Sequence, residues 1–174
     1  MTRRQYLRRA VIALIAVFVI GLLLPQNALI PVQGASVSDW NPQSFWFEPW
    51  GKSGVHKGID IFAKQGTPVL AATSGVVVYR GSFGDGGLVV AVLGPKWRIH
   101  YYAHLAGAGV SPLQFVAKGH SIGVVGTSGN ARGKQPHLHY AIVSLVPLPW
   151  HFTSGTQGWR RMFYLSPSEA LIGA

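Results

Sequence analysis

Two histidines stand two residues apart in Gln135-Pro136-His137-Leu138-His139-Tyr140, and the β-prone run Tyr140-Ala141-Ile142-Val143 follows them. Along a strand, side chains alternate between faces, so residues i and i+2 point the same way. His137 and His139 are therefore expected to project side by side into one space. A paired imidazole face suits a metal site or an acid/base pair. By itself His-x-His is a weak signal, and most such pairs are ordinary strand decoration.

Upstream lies His56-Lys57-Gly58-Ile59-Asp60. Four-residue spacing keeps an imidazole and a carboxylate on one face of an extended segment, where they can grip one divalent ion. Gly58 between them leaves room for close approach of backbone or ligand. His139 as a third ligand completes a two-His, one-carboxylate set with one open position, the ligand count of a catalytic zinc site. Zinc brings the pKa of its bound water to near 7, so a hydroxide is available to attack an amide carbonyl. A further group must take the water's proton and stabilise the oxyanion. His137 is one candidate, and His104, at the expected strand end Tyr101-Tyr102-Ala103-His104, is another.

The elements that must position these residues read as β. Short β-branched or aromatic runs occupy residues 69–72, 75–79, 88–93, 99–102, 121–125 and 139–145. Glycine-rich turns at 80–87, 105–110 and 126–133 separate them. The spacing predicts an antiparallel sheet closed into a sandwich or barrel. Residues 31–50 read as a linker and lead-in, whose Trp40, Phe45, Trp46, Phe47 and Trp50 are expected to pack on the domain's flank; the alternative is a wall of a substrate groove. After Val146 the Pro147-Leu148-Pro149 step breaks the pattern, and residues 151–161 read as a loop. Ser166-Pro167-Ser168-Glu169 starts a short final helix, with Ser166 as N-cap.

The amino terminus has a different composition. Arg3, Arg4, Arg8 and Arg9 come without an acid, and residues 10–24 are wholly apolar. This is the pattern of a secretory signal or a membrane anchor. The expected segments are 1–30 as anchor or signal, 31–50 as lead-in and 51–174 as the catalytic domain. An uncleaved anchor is the reading adopted, with cleavage near residues 32–35 as the alternative. Either way the arginines stay in the cytoplasm, and the rest faces the periplasm or cell exterior. Thr2-Arg3-Arg4-Gln5-Tyr6-Leu7-Arg8 also resembles a twin-arginine export signal. Those arginines account for four of the ten net positive charges, leaving +6 for the exported part. That excess suits an anionic partner such as a cell wall or phospholipid surface, and no nucleic-acid motif accompanies it. There is no cysteine, which excludes disulfides, thiolate metal sites and an acyl-cysteine anchor.

The motifs together resemble the lysostaphin-type (LytM-type) zinc endopeptidases, which cut peptide bonds in bacterial peptidoglycan. The resemblance is carried by His56-Lys57-Gly58-Ile59-Asp60, Gly66-Thr67-Pro68-Val69, Ala71-Ala72, Gly75-Val76-Val77-Val78, Tyr102-Ala103-His104-Leu105, Gly119-His120-Ser121-Ile122-Gly123, Gly126-Thr127-Ser128-Gly129 and His137-Leu138-His139. It runs in order from about Gly54 to Val143. It implies one zinc ion held by His56, Asp60 and His139, with His137 and His104 as the catalytic histidines, and an antiparallel β core crossed by a groove. Peptidoglycan stem or cross-bridge peptides are the implied partners. Relatives lacking the ligands serve as non-catalytic activators, whereas every position is filled here. The chain departs from the family at residues 132–136, at Tyr140-Ala141 and in the insert 146–162.

Other candidates have plainer readings. His100, four residues before His104, is expected on the same strand face as a peripheral group. His120 and His151 are read as solvated or loop residues, Asp85 as a turn residue, and Tyr102 as core. The sequence therefore predicts a membrane-tethered or exported zinc endopeptidase acting on peptidoglycan. The rivals are a catalytically silent wall-binding module on the same fold and a peptidase of secreted proteins.

Overall fold

The structure is a computed structural model that describes residues 2–172. Met1, Gly173 and Ala174, at the ends of the expected anchor and catalytic segments, lie outside the described residues. An apolar helix, α1 (Arg3–Leu23), comes first; Thr2 and Gln5 form a capping box at its start. It is long and apolar enough to cross a membrane, and none of it is buried. The chain then becomes antiparallel β, as its β-branched runs require.

Nine strands follow among the described residues: β1 (Ile59–Phe62), β2 (Pro68–Leu70), β3 (Gly75–Ser82), β4 (Leu88–Gly94), β5 (Arg98–Ala108), β6 (Phe115–Val116), β7 (Ser121–Val125), β8 (His137–Ser144) and β9 (Tyr164–Leu165). The main path runs β1-β8-β5-β4-β3-β6, with β9 on β8 and the β2–β7 pair joined to β5. The first part of β5 lies between β4 and β8, and its last residues pair with β7. Through β5 the two parts of the sheet share one core, in which Ile59, Ile61, Val69, Val92, Tyr102, Ile122, Leu138 and Tyr140 are buried. The short helix α2 (Pro167–Ile172) closes the described chain, and the Ser166 hydroxyl accepts from the Glu169 N–H as an N-cap would.

Two features differ from the pattern read in the sequence. First, β5 does not stop before the glycines of 105–110; it continues to Ala108. Tyr102 to Leu105 of β5 stands opposite Val90 to Leu88 of β4, one residue more on β5 than on its partner. This is a bulge, and His104 within it has a φ of 63°. Strand parity therefore flips between His100 and His104, and the two histidines lie on opposite faces rather than the same one.

Second, the polar lead-in is bonded to the domain through its backbone. Leu29 N–H donates to Ala72, Leu70 N–H to Pro31 and Gln33 N–H to Pro68. Ala28 and Val32 are buried. Trp40 is buried too, and its indole N–H donates to Ser168 Oγ at 3.0 Å. Residues 26–35 thus run along the sheet instead of spanning a gap. Sequence cannot reveal such pairing, because backbone groups make it and any residue but proline supplies both donor and acceptor.

Candidate metal centre and catalytic groove

The register of β1 on β8 builds the site. Asp60 stands directly opposite His139, and Phe62 opposite His137. Cross-strand pairs of this kind share a face, so one carboxylate and two imidazoles point into the same groove. His56 arrives from outside the strands, in the irregular stretch before β1. Two backbone bonds to the lead-in hold it there: His56 N–H donates to Phe47 at 3.0 Å, and Trp46 N–H donates to the His56 carbonyl. Gly58 permits the approach, since a Cβ there would lie 2.4 Å from the Tyr140 carbonyl and 3.0 Å from the His139 ring.

Three atoms converge. His56 Nε2 is 3.2 Å from Asp60 Oδ1 and 3.1 Å from His139 Nδ1, and His139 Nδ1 is 2.9 Å from the same carboxylate oxygen. A tetrahedral zinc ion with bonds of about 2.0–2.1 Å has its ligand atoms about 3.3 Å apart, close to this spacing. The chemistry of the donors fits as well. His56 Nδ1 donates to the Ser44 carbonyl at 3.0 Å. That assignment leaves Nε2 as a lone pair aimed at a carboxylate oxygen. A cation at the centre satisfies all three acceptors at once. Among the described residues this is the one group of three that could hold a metal ion. Burial pushes the Asp60 carboxyl up, but the adjoining imidazoles of His139 and His56 outweigh it and hold the group below the ordinary carboxylate range.

The remaining two histidines face the same space. His137 Nδ1 donates to the Gln135 carbonyl at 2.7 Å, and His104 Nδ1 donates to the Ser128 carbonyl at 2.9 Å. Each therefore presents Nε2 to the groove. His137 Nε2 is 4.0 Å from Asp60 Oδ1. The rings of His104 and His137 are 5.0 Å apart at 66°. Burial, with the neighbouring His139, pushes the His104 imidazole down to about 4. At neutral pH it is an uncharged acceptor.

The groove has a volume of about 1070 Å³. Its floor is the outward face of β3, β4, β5 and β8, with Val78, Ala91, Ile99, Tyr101, Ala141 and Val143, and Tyr164 flanks it. Trp50 forms part of the wall and stacks on His56 at 4.1 Å and 21°. So the lead-in aromatics divide: Trp40 packs inside and Phe45 packs against the core, whereas Trp50 faces the groove. Tyr101 meets His139 edge-on at 6.3 Å, and burial pushes its hydroxyl up to about 12. Trp50 takes the alternative role, a wall of the groove, instead of the expected packing, and nothing in the sequence pattern singled out Tyr101. The pattern also missed the carbonyls of Ser44, Ser128 and Gln135, which orient the three rings. Asp85 sits in a turn at the groove rim, away from the three ligand atoms. His100 lies behind the site, buried, with its Nδ1 bonded to the Tyr140 hydroxyl at 2.6 Å.

Comparison with known proteins gives the family and the fold. Residues 54–146, more than half of the chain, match the model of Peptidase family M23. The L-Ala–D-Glu endopeptidase of Bacillus subtilis is 38% identical over 114 residues, covering 60% of this chain and 35% of that protein. The chain thus spans about a third of that relative's length. The crystallised catalytic domain of lysostaphin from Staphylococcus simulans superposes with a TM-score of 0.60 at 25% identity, over 76% of this chain and 95% of that one. A zinc-containing peptidase from Vibrio cholerae superposes with a TM-score of 0.54 at 25% identity, over 67% of this chain and 37% of that one. By the extent of the family match and the shared β architecture, the chain belongs to peptidase family M23.

Proposed function

We propose that the protein is a zinc endopeptidase that hydrolyses peptide bonds of bacterial peptidoglycan. The observation that carries this reading is the convergence of His56 Nε2, Asp60 Oδ1 and His139 Nδ1, with two further imidazole nitrogens facing the same groove. The proposed zinc ligands are His56, Asp60 and His139. Zinc bound there supplies a water of near-neutral pKa and polarises the scissile carbonyl.

The chain's own groups do the rest. His137 Nε2, the imidazole nitrogen beside Asp60, takes the proton of the attacking water. The Gln135 carbonyl fixes its tautomer, so that a lone pair always faces the substrate. His104 Nε2 lies across the groove and is an acceptor while neutral. Protonated at Nε2 from solvent as negative charge develops on the carbonyl oxygen, it donates a hydrogen bond to that oxyanion and keeps its proton. His137 hands the proton it took from the water to the departing amine. The Ser128 carbonyl, bonded to His104 Nδ1, supports the charged ring. The apolar floor keeps water from the scissile bond. Trp50 and Tyr101 bracket the substrate backbone on either side of the ligands.

The names of relatives support the substrate class, since the Bacillus protein is an L-Ala–D-Glu endopeptidase. In this reading α1 anchors the protein in the cytoplasmic membrane, and the peptidase unit faces the periplasm or cell exterior. Residues 31–50 belong to that unit, because they bond to β2 and orient His56.

The test uses the full chain in detergent, loaded with zinc, on purified sacculi beside the His137→Ala variant, with fragments identified by mass. New amino and carboxyl termini within stem or bridge peptides, absent in the variant, are expected. Stoichiometric zinc without cleavage of any wall type would refute the enzymatic reading.

A further inference from the structure

The tip of the β4–β5 hairpin does not end in solvent; it lies against α1. The Trp97 indole stacks on Phe18 at 6.0 Å and 12°, and its Nε1–H donates to the Phe18 carbonyl at 2.8 Å. Lys96 Nζ reaches the Leu22 carbonyl at 3.4 Å. Gly21 forms the slot for the indole, since a Cβ there would come within 2.5 Å of the Trp97 ring. Lys96 and Trp97 both take the left-handed conformation, at φ 59° and 55°. Consecutive left-handed residues with side chains persist only where the surroundings over-determine them. Just after the helix, Gln26 bonds both Arg98 and His100, so no slack linker separates α1 from the sheet.

We infer that this end of the domain is a bilayer-docking face, seated in the headgroup layer of the membrane that α1 crosses. The inference rests on the reading of α1 as an uncleaved membrane span. Phe18 lies five residues before the end of α1, which at 1.5 Å per residue is about 8 Å along the helix axis. A ring stacked on Phe18 is therefore drawn into the boundary between headgroups and acyl chains, where tryptophan is enriched. Lys96 beside it has the long stem needed to keep its ammonium at the surface.

The neighbouring surface continues the pattern. Leu145 N–H donates to the Trp97 carbonyl at 2.9 Å, and the Leu145 side chain is 53% exposed. Trp150, in the turn that follows, is 76% exposed. Lys96 and Arg98 flank Trp97 at the tip, and no acid lies between Asp85 and Glu169. An apolar, aromatic edge on an acid-free stretch complements an anionic lipid surface. It also gives the insert 146–162, unexplained by the hydrolytic site, a part in holding the groove at one height over the bilayer.

The absence of native cysteine permits a direct test. Single cysteines at Trp150→Cys, Phe83→Cys and Leu14→Cys, each in the full chain, are labelled with an environment-sensitive fluorophore. The proteins are reconstituted into vesicles of phosphatidylethanolamine and phosphatidylglycerol containing lipids with nitroxides at shallow or deep positions. Phe83 is also exposed, but lies at the other end of β4, roughly 20 Å away for seven residues at about 3.4 Å each.

Shallow nitroxides are expected to quench the label at 150 several-fold more than at 83, and deep nitroxides to quench the label at 14. Adding Gly21→Val, which fills the indole slot but keeps α1 apolar, is expected to abolish the quenching at 150 and leave that at 14. Equal, weak quenching at 150 and 83 with 14 quenched would overturn the docking face while leaving the anchor intact; a partner protein on this surface would give that result. No quenching at 14 would remove the anchor itself and the inference with it. Neither outcome touches the peptidase reading, which the sacculus assay decides.

Discussion

Strands β5 and β8 carry two histidine settings, one on each face, that are built in opposite ways. On the core face His100 has a partner for each ring nitrogen. The Gln26 amide donates to Nε2 at 3.1 Å, and Nδ1–H donates to the Tyr140 hydroxyl at 2.6 Å. On the groove face, His56, His104 and His137 each commit Nδ1 to a backbone carbonyl, and their Nε2 atoms converge with His139 and Asp60 on one space. The difference teaches how to tell a histidine that holds structure from one that does chemistry. Completed hydrogen bonding marks the first; lone pairs gathered without a donor between them mark the second.

The largest expected effect comes from the gathered set. Asp60→Ala removes the one formal negative charge among the three proposed ligands and leaves two imidazoles to hold a dication. Metal analysis of the purified variant should find zinc lost, and the sacculus assay should find activity at background. An Asp60→Ala protein retaining stoichiometric zinc would show that the convergence is not the metal site.

His137→Ala should separate binding from chemistry on the same face. The three ligand atoms remain, so zinc should be retained, while turnover should fall by roughly a hundred- to ten-thousandfold, the usual contribution of a positioned acid or base. If zinc and activity disappear together, His137 is a ligand, and the division of the groove histidines must be redrawn.

His100→Leu probes the opposite face. It strands the buried Tyr140 hydroxyl, at a cost of about 1–3 kcal/mol, so the urea midpoint should fall while activity per folded molecule stays. Acidity sharpens the contrast. Burial, with Arg98 nearby, pushes the His100 imidazole down to about 3 from an ordinary 6.5. Between those values the unfolded chain binds a proton that the folded one refuses, so stability falls as pH drops through that window. The loss amounts to a few kcal/mol. Above pH 6.5 both states are neutral at this residue, and the term vanishes. His100→Leu should flatten that part of the stability-against-pH curve; an unchanged slope would show that the pair with Tyr140 does not set it.

The groove face was largely legible in sequence because its residues are tied to regular pairing. Asp60 and His139 meet because β1 and β8 do, and i, i+2 alternation along β8 places His137 beside His139. The core face was not. Counting four residues from His104 puts His100 on the same strand face at the periphery, whereas the extra residue opposite Val90 to Leu88 sends it to the core. A bulge leaves no composition signal when its left-handed residue is a histidine rather than a glycine. The carbonyls that set the rings were hidden for a related reason. Ser44 reaches His56 through a lead-in that looked like a linker, and the oxygen it contributes is one that every residue has. The strand β5 past His104 was masked by Gly107 and Gly109, which read as a turn, although Gly107 pairs with Val124.

The smallest effect belongs to Trp50, which lies between the two categories. Its ring stacks on His56, so it supports a ligand, yet it is itself part of the groove wall and 38% exposed. If the Ser44 carbonyl and the two backbone bonds set the His56 ring, the indole adds only the packing of one aromatic pair. Such pairs contribute about 0.5–1.5 kcal/mol, so Trp50→Ala should weaken zinc two- to about tenfold in competition with a chelator. A hundredfold loss would mean that the stack rather than the backbone orients His56. The lone-pair geometry would then depend on a side chain at the rim, and the contrast between the two faces would rest on packing instead of hydrogen bonding.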